Sequence, residues 1–275
     1  MNHDFEKSDE WLDTFFSGYM RNIENFKKIS AVVCPPAALI DHLDSEMIND
    51  SFQYFEEVLK QEGKKIEDYS EEQIHEILFE MRPVLLGAQD CHYETSGSFT
   101  GDVSVSMLKH VGCTHVILGH SERRAGHFES NEIVGKKVST AAKESLTPVV
   151  CVGESKEVRD QAQHLKFVAT QLLESLPQDV KFKKIIIAYE PIWSIGTGVI
   201  PTAEQIGEMM HTIRNAFSAA FASRTEEFFV VYGGSVTSEN SGEILKIPGV
   251  DGLLVGKASL DAEEFLKICL SSAES

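Results

Sequence analysis

The chain has 275 residues, 42% of them apolar, enough for the core of one large domain. A formal net charge of −18 argues against nucleic acid or an anionic membrane surface as partner. Five cysteines (Cys34, Cys91, Cys113, Cys151, Cys269), an odd number with neither CxxC nor Cys/His ligand spacing, point to a reduced, cytoplasmic protein with no metal site.

The chain opens on a helical pattern, Ser8–Phe26. Short β-rich runs follow at Ala31–Cys34, Val84–Ala88, His115–Leu118, Pro148–Val152, Lys184–Ala188, Phe228–Tyr232 and Gly252–Val255. Helix-length segments such as Ala162–Leu176 and Glu204–Ala222 alternate with them, which predicts a parallel sheet buried on both faces. Between Pro36 and Gly87 lies an acidic, helix-prone stretch, 44–81, with Phe52, Phe55, Val58 and Leu59 at helical spacing and Ile74, Ile77 and Leu78 after them. Two helices around the polar turn Glu62–Tyr69 are expected, as a tolerated surface excursion within one domain spanning 1–275. No N-terminal stretch resembles a signal peptide, and no apolar run approaches the roughly 18 residues of a membrane span.

Two strings carry chemistry. In Tyr189-Glu190-Pro191-Ile192-Trp193-Ser194-Ile195-Gly196-Thr197-Gly198 a carboxylate ends an aliphatic strand below a glycine-bearing loop, a place suited to a general base shielded from water. On its own Glu190 reads first as a surface glutamate of a strand-to-helix turn. In His115-Val116-Ile117-Leu118-Gly119-His120-Ser121-Glu122-Arg123-Arg124 a strand ends beside His120, and Ser121-Glu122 suit a helix first turn. The positive end of that helix disfavours an imidazolium, leaving a neutral ring able to polarise a carbonyl. A capping or core histidine is the equal alternative.

Taken in order, these strings resemble the triosephosphate isomerase family. The likeness continues through Gly87-Ala88-Gln89-Asp90-Cys91, Gly97-Ser98-Phe99-Thr100-Gly101, Cys151-Val152-Gly153-Glu154, Tyr232-Gly233-Gly234-Ser235-Val236 and Val250-Asp251-Gly252-Leu253-Leu254-Val255-Gly256. It implies a TIM (β/α)8 barrel with the site at the carboxyl ends of the strands. It also implies an aldose-ketose isomerase of glycolysis and gluconeogenesis, interconverting dihydroxyacetone phosphate and D-glyceraldehyde 3-phosphate through an enediolate without a cofactor. The resemblance assigns Glu190 as base and His120 as electrophile, roles established for the family rather than read from these residues. Gly196, Ser235, Gly256 and Lys257 would offer backbone amides to the phosphate, with Lys257 standing where the family has glycine. Glu122 would support His120. The loop with Gln89, Thr100 and Asp102 would reach a second copy in a homodimer.

Two departures stand out. The seven β-rich runs fall one short of a closed barrel. Met1-Asn2 look like the end of the family's first-strand motif, Asn-Trp-Lys-Met-Asn, so the first strand and its asparagine and lysine are expected to be missing. The other departure is the helical insertion 44–81, after what would be the second strand. A non-enzyme alternative follows from the first departure: a catalytically impaired homologue kept as a phosphate-ligand binding or scaffold protein.

Overall fold

Strands and helices alternate along the chain in the computed structural model, which describes residues 4–195, 197 and 199–274. The first part runs α1 (Phe5–Arg21), α2 (Ile23–Phe26), β1 (Val32–Val33), α3 (Ile40–Glu62), α4 (Glu71–Glu80), β2 (Leu85–Ala88), α5 (Val105–His110) and β3 (Cys113–Leu118). Next come α6 (Ser121–Gly126), α7 (Asn131–Lys143), β4 (Thr147–Val152), α8 (Lys156–Asp160), α9 (His164–Glu174) and β5 (Phe182–Tyr189). The last part holds α10 (Ala203–Phe221), β6 (Thr225–Tyr232), α11 (Ser241–Leu245), β7 (Gly252–Leu253) and α12 (Ala262–Ala273).

All seven strands pair in parallel and in sequence order. Side chains alternate across the sheet with the period of two that a strand imposes. Val150, Val152, Ile185 and Ile187 join Phe15, Val134, Leu172 and Ile206 in the main core, between strands and helices. Val149, Cys151, Ile186 and Ala188 cluster instead with Ile117, Val231 and Leu254, and so line the inner face of a curled sheet. Burial on both faces is why these strands read as unbroken apolar runs.

The helices follow from their caps and stripes. Thr202 and Gln205 form a reciprocal capping box at the start of α10. Its buried face then repeats at helical spacing through Ile206, Met209, Met210, Ile213, Phe217 and Phe221. The Ser8–Phe26 pattern breaks at Asn22, whose side-chain amide donates to the Gly18 carbonyl at 2.9 Å. Helix α3 ends at Gly63, and α4 starts from a capping box of Ser70 and Gln73. Phe55, Leu59 and Leu78 make a small core of their own between α3 and α4.

The sheet is open between β1 and β7, since among the described residues neither outer edge has a strand partner. On the helical side α1 lies over that opening. It packs on α3 and α12, stacks Trp11 on Phe15 at 5.0 Å and sets Phe15 against Phe265 at 5.5 Å. The Trp11 indole also donates to the Ser259 carbonyl, at 3.0 Å. Met1 and Asn2, the residues matched to the family's first-strand motif, lie outside the described residues. No described helix is long and apolar enough to cross a membrane.

Candidate active site

Parallel pairing brings the ends of β3, β4, β5 and β6 to one rim. Gly119, with φ +67°, turns the chain off β3 in a conformation that disfavours any side chain. His120 then caps α6, its Nδ1 accepting from the Glu122 amide at 3.3 Å. With Nδ1 accepting, the ring proton sits on Nε2. That atom meets Glu190 Oε1 at 2.8 Å. The second carboxylate oxygen of Glu190 accepts from the Ser121 amide at 3.0 Å.

Glu190 is 2% exposed, so the surface-glutamate reading is overturned. Its amide extends the sheet, donating to the Val152 carbonyl at 2.8 Å. A Cβ at residue 153 would fall 1.7 Å from the Glu190 carbonyl oxygen, so only glycine lets β4 and β5 approach this closely. The Cys151 thiol lies against the carboxylate, and burial, then the charge of Glu190, push its pKa up. It is therefore an inert thiol in the wall of the site.

Burial pulls the pKa of His120 down, but the hydrogen bond and charge of Glu190, helped by Glu122, outweigh it and set the value above the ordinary histidine range. This reverses the direction expected from the helix terminus. The helix is only six residues long, and a carboxylate at contact distance acts more strongly than its dipole. The capping role left open by the sequence belongs to the same imidazole that meets Glu190.

The loop after Glu190 is anchored from below. Glu154, fully buried, accepts at one oxygen from the Trp193 indole (2.8 Å), Arg159 (2.8 Å) and the Tyr189 hydroxyl (3.1 Å). The Arg159 guanidinium also lies over the Trp193 ring, 4.8 Å from its centroid. Ile195, Val199 and Ile200 further along the loop are exposed at 40%, 51% and 53%. Ser235, after β6, donates to the Ser194 carbonyl of this loop at 3.3 Å. Gly256 and Lys257 follow β7 at the start of a short 3-10 turn, both exposed. Lys257 is not among the described non-glycine residues with positive φ, so its side chain costs no backbone strain there. Gly196 and Gly198 lie outside the described residues. Thus His120 and Glu190 are in contact, and Ser235 joins their loop. Gly256 and Lys257 share the rim without a bond to the pair.

The model of the triosephosphate isomerase family matches residues 67–272. The chain belongs to this family. The triosephosphate isomerase of Brucella melitensis biotype 1 is 46% identical over 184 residues, 67% of this chain and 72% of its own. That of Afipia carboxidovorans is 37% identical over 245 residues, 89% of this chain and 85% of its own. The crystal structure of triosephosphate isomerase from Bartonella henselae superposes with a TM-score of 0.74 at 33% identity, covering 98% of this chain and 94% of that one. The curled parallel sheet is therefore a triosephosphate isomerase barrel fold, seven strands of it among the described residues.

Several participants escape a reading of side chains along the sequence. The amides of Ser121 and Glu122 hold the carboxylate and the imidazole, yet an amide leaves no mark in residue type. Glu154 stands in a motif of the family, but its bond to Trp193 spans 39 positions.

Proposed function

We propose that the chain interconverts dihydroxyacetone phosphate and D-glyceraldehyde 3-phosphate by proton transfer through an enediolate, a reaction of glycolysis and gluconeogenesis. The contact of His120 Nε2 with Glu190 Oε1 at 2.8 Å carries this reading, because it unites a buried carboxylate and a proton-bearing imidazole at one rim. Glu190 removes the proton from the carbon beside the carbonyl. His120, its proton on Nε2, donates to the carbonyl oxygen as negative charge develops there. For this, Glu190 exchanges Ser121 and His120 for the substrate, a swing about a side chain whose backbone stays fixed in the sheet.

The amides of Gly196, Ser235, Gly256 and Lys257 receive the phosphate, with the Lys257 ammonium offsetting part of the unfavourable overall charge. Residues 191–201 close as a lid, which would bury the apolar Ile195, Val199 and Ile200 and exclude water from the enediolate. The enzyme works in the cytoplasm as a homodimer. Exposed Phe99 and Met107, at 40% and 57%, lie in and just after the loop of Gln89, Thr100 and Asp102 and fit a second copy better than solvent. Residues 1–275 act as one domain, with 44–81 as a helical arm on it.

A coupled assay of triose phosphate interconversion, run with and without a chelator, tests the reading. Activity that is insensitive to the chelator supports it, and activity that returns only with added metal contradicts it.

A further inference from the structure

One guanidinium ties together the supports of both reacting groups. Arg124 donates through Nε to the Gly119 carbonyl at 2.7 Å, and through Nη2 to the Cys151 carbonyl at 3.2 Å. The Gly119 carbonyl belongs to the peptide bond from which His120 hangs. Cys151 belongs to β4, and its side chain lies against the Glu190 carboxylate. The remaining donors run outward, to Asn131 Oδ1 at the start of α7 (2.7 Å) and to Ser175 Oγ after α9 (3.1 Å). Asn131 is in turn held by Ser175, at 3.3 Å, and donates to Glu174 at 2.8 Å.

These bonds share a geometry that only a planar, forked cation meets. Two backbone carbonyls, one just after β3 and one in β4, and two side chains at the ends of separate helices all receive protons from one side chain. The left-handed turn at Gly119 leaves room for it: a Cβ there would meet Arg124 Nη2 and Val134 Cγ2, each at 2.8 Å. A lysine at 124 would present a point charge, unable to bond both carbonyls and Asn131 together.

We propose that Arg124 is a positioning residue for catalysis, fixing the Gly119–His120 peptide and the strand under Glu190 in one register. It touches no substrate. This inference rests on the isomerase reading for its kinetic consequence, but its geometric content stands apart from it. Loss of the clamp lets His120 and Glu190 drift relative to each other. A misplacement of about 1 Å can lower turnover on the order of 100-fold while leaving binding of the phosphate nearly intact.

The test compares the full-length chain with Arg124→Lys and Asn131→Ala, each shown to be folded by far-UV circular dichroism at the assay temperature. Arg124→Lys is expected to lower kcat roughly 10- to 100-fold with KM changed less than about threefold. Asn131→Ala loses an outer tie only, and should lower the melting temperature while holding kcat within about twofold. Nitrogen-15 NMR of the histidine side chains supplies a readout free of turnover. At a pH high enough for a neutral ring, His120 in the parent chain should show one tautomer with the proton on Nε2, and Arg124→Lys should shift or broaden that signal. An unmoved His120 signal in Arg124→Lys would overturn the proposal, as would a folded Arg124→Lys with the parent's kcat. A parent chain without isomerase activity would instead sink the functional reading, and the NMR comparison would still decide the clamp.

Discussion

The middle of the sheet and its two ends are built to different standards. Strands β4, β5 and β6 are six to eight residues long and densely paired, and Val150, Ile185, Ile187 and Val230 in them have no exposed surface. At the ends, β1 and β7 are two residues each, and Val32, Val33, Gly252 and Leu253 are only half-buried. Glu190 follows β5 of the first region, and His120 follows its neighbour β3, six residues long and paired with β4. Of the residues proposed above for the phosphate, Gly256 and Lys257 follow β7 in the second, while Ser235 follows β6. On the proposed function, the reacting pair thus sits on long, well-paired strands, and only part of the phosphate site lies at the open edge.

Changes at the reacting pair should show the largest effects. His120→Ala removes the proposed proton donor to the carbonyl and should lower kcat by about 10²- to 10⁴-fold. Glu190→Asp withdraws the carboxylate by one methylene, about 1 Å, and should lower kcat on the order of 100-fold with the fold retained. Steady-state kinetics beside a thermal melt separates loss of chemistry from loss of structure in both.

Two stability measurements sharpen the contrast between the regions. Ile187→Ala empties a fully buried position of β5, and should cost about 2–5 kcal/mol in denaturant unfolding. Val33→Ala, in half-buried β1, should cost about 1 kcal/mol or less. Equal costs would erase the difference on which the comparison rests. Native-state hydrogen exchange should agree, with amides of β4–β6 opening only globally and those of β1 and β7 opening locally.

A further effect, confined to acid, comes from pH. Burial, and then the charge of Lys184, lower the pKa of His115 on the inner face to about 4. The unfolded chain binds this proton near pH 6.5 and the folded chain does not, so stability is full above pH 6.5 and falls as pH drops toward 4. The loss should reach about 3 kcal/mol at most, from 1.36 kcal/mol per pKa unit, and His115→Gln should abolish that part of the slope.

How much of this was legible depended on the kind of interaction. All seven strands were readable, because burial on two faces writes itself as apolar runs. Their ends were not, because the pairing of Phe182 with Thr225 or the brevity of β7 depends on neighbours distant in sequence. Glu190 and His120 were found through the family's motifs, since each alone fits a commoner explanation. The raised pKa of His120 was misjudged because it comes from a carboxylate 70 positions away. The helix end beside it was visible, and weaker. Arg124 was quoted in a motif, but nothing local in Ser121-Glu122-Arg123-Arg124 distinguishes it from Arg123, which turns the other way to Asp90 and Glu129.

The central claim is that Glu190 shuttles a proton through an enediolate, and isomerisation in deuterated water reads that step directly. Starting from D-glyceraldehyde 3-phosphate, the parent chain should place deuterium on the carbon next to the carbonyl of the product, and Glu190→Asp should slow both that exchange and turnover about 100-fold. Deuterium incorporation and turnover left unchanged in Glu190→Asp would remove Glu190 from the base role and contradict the account.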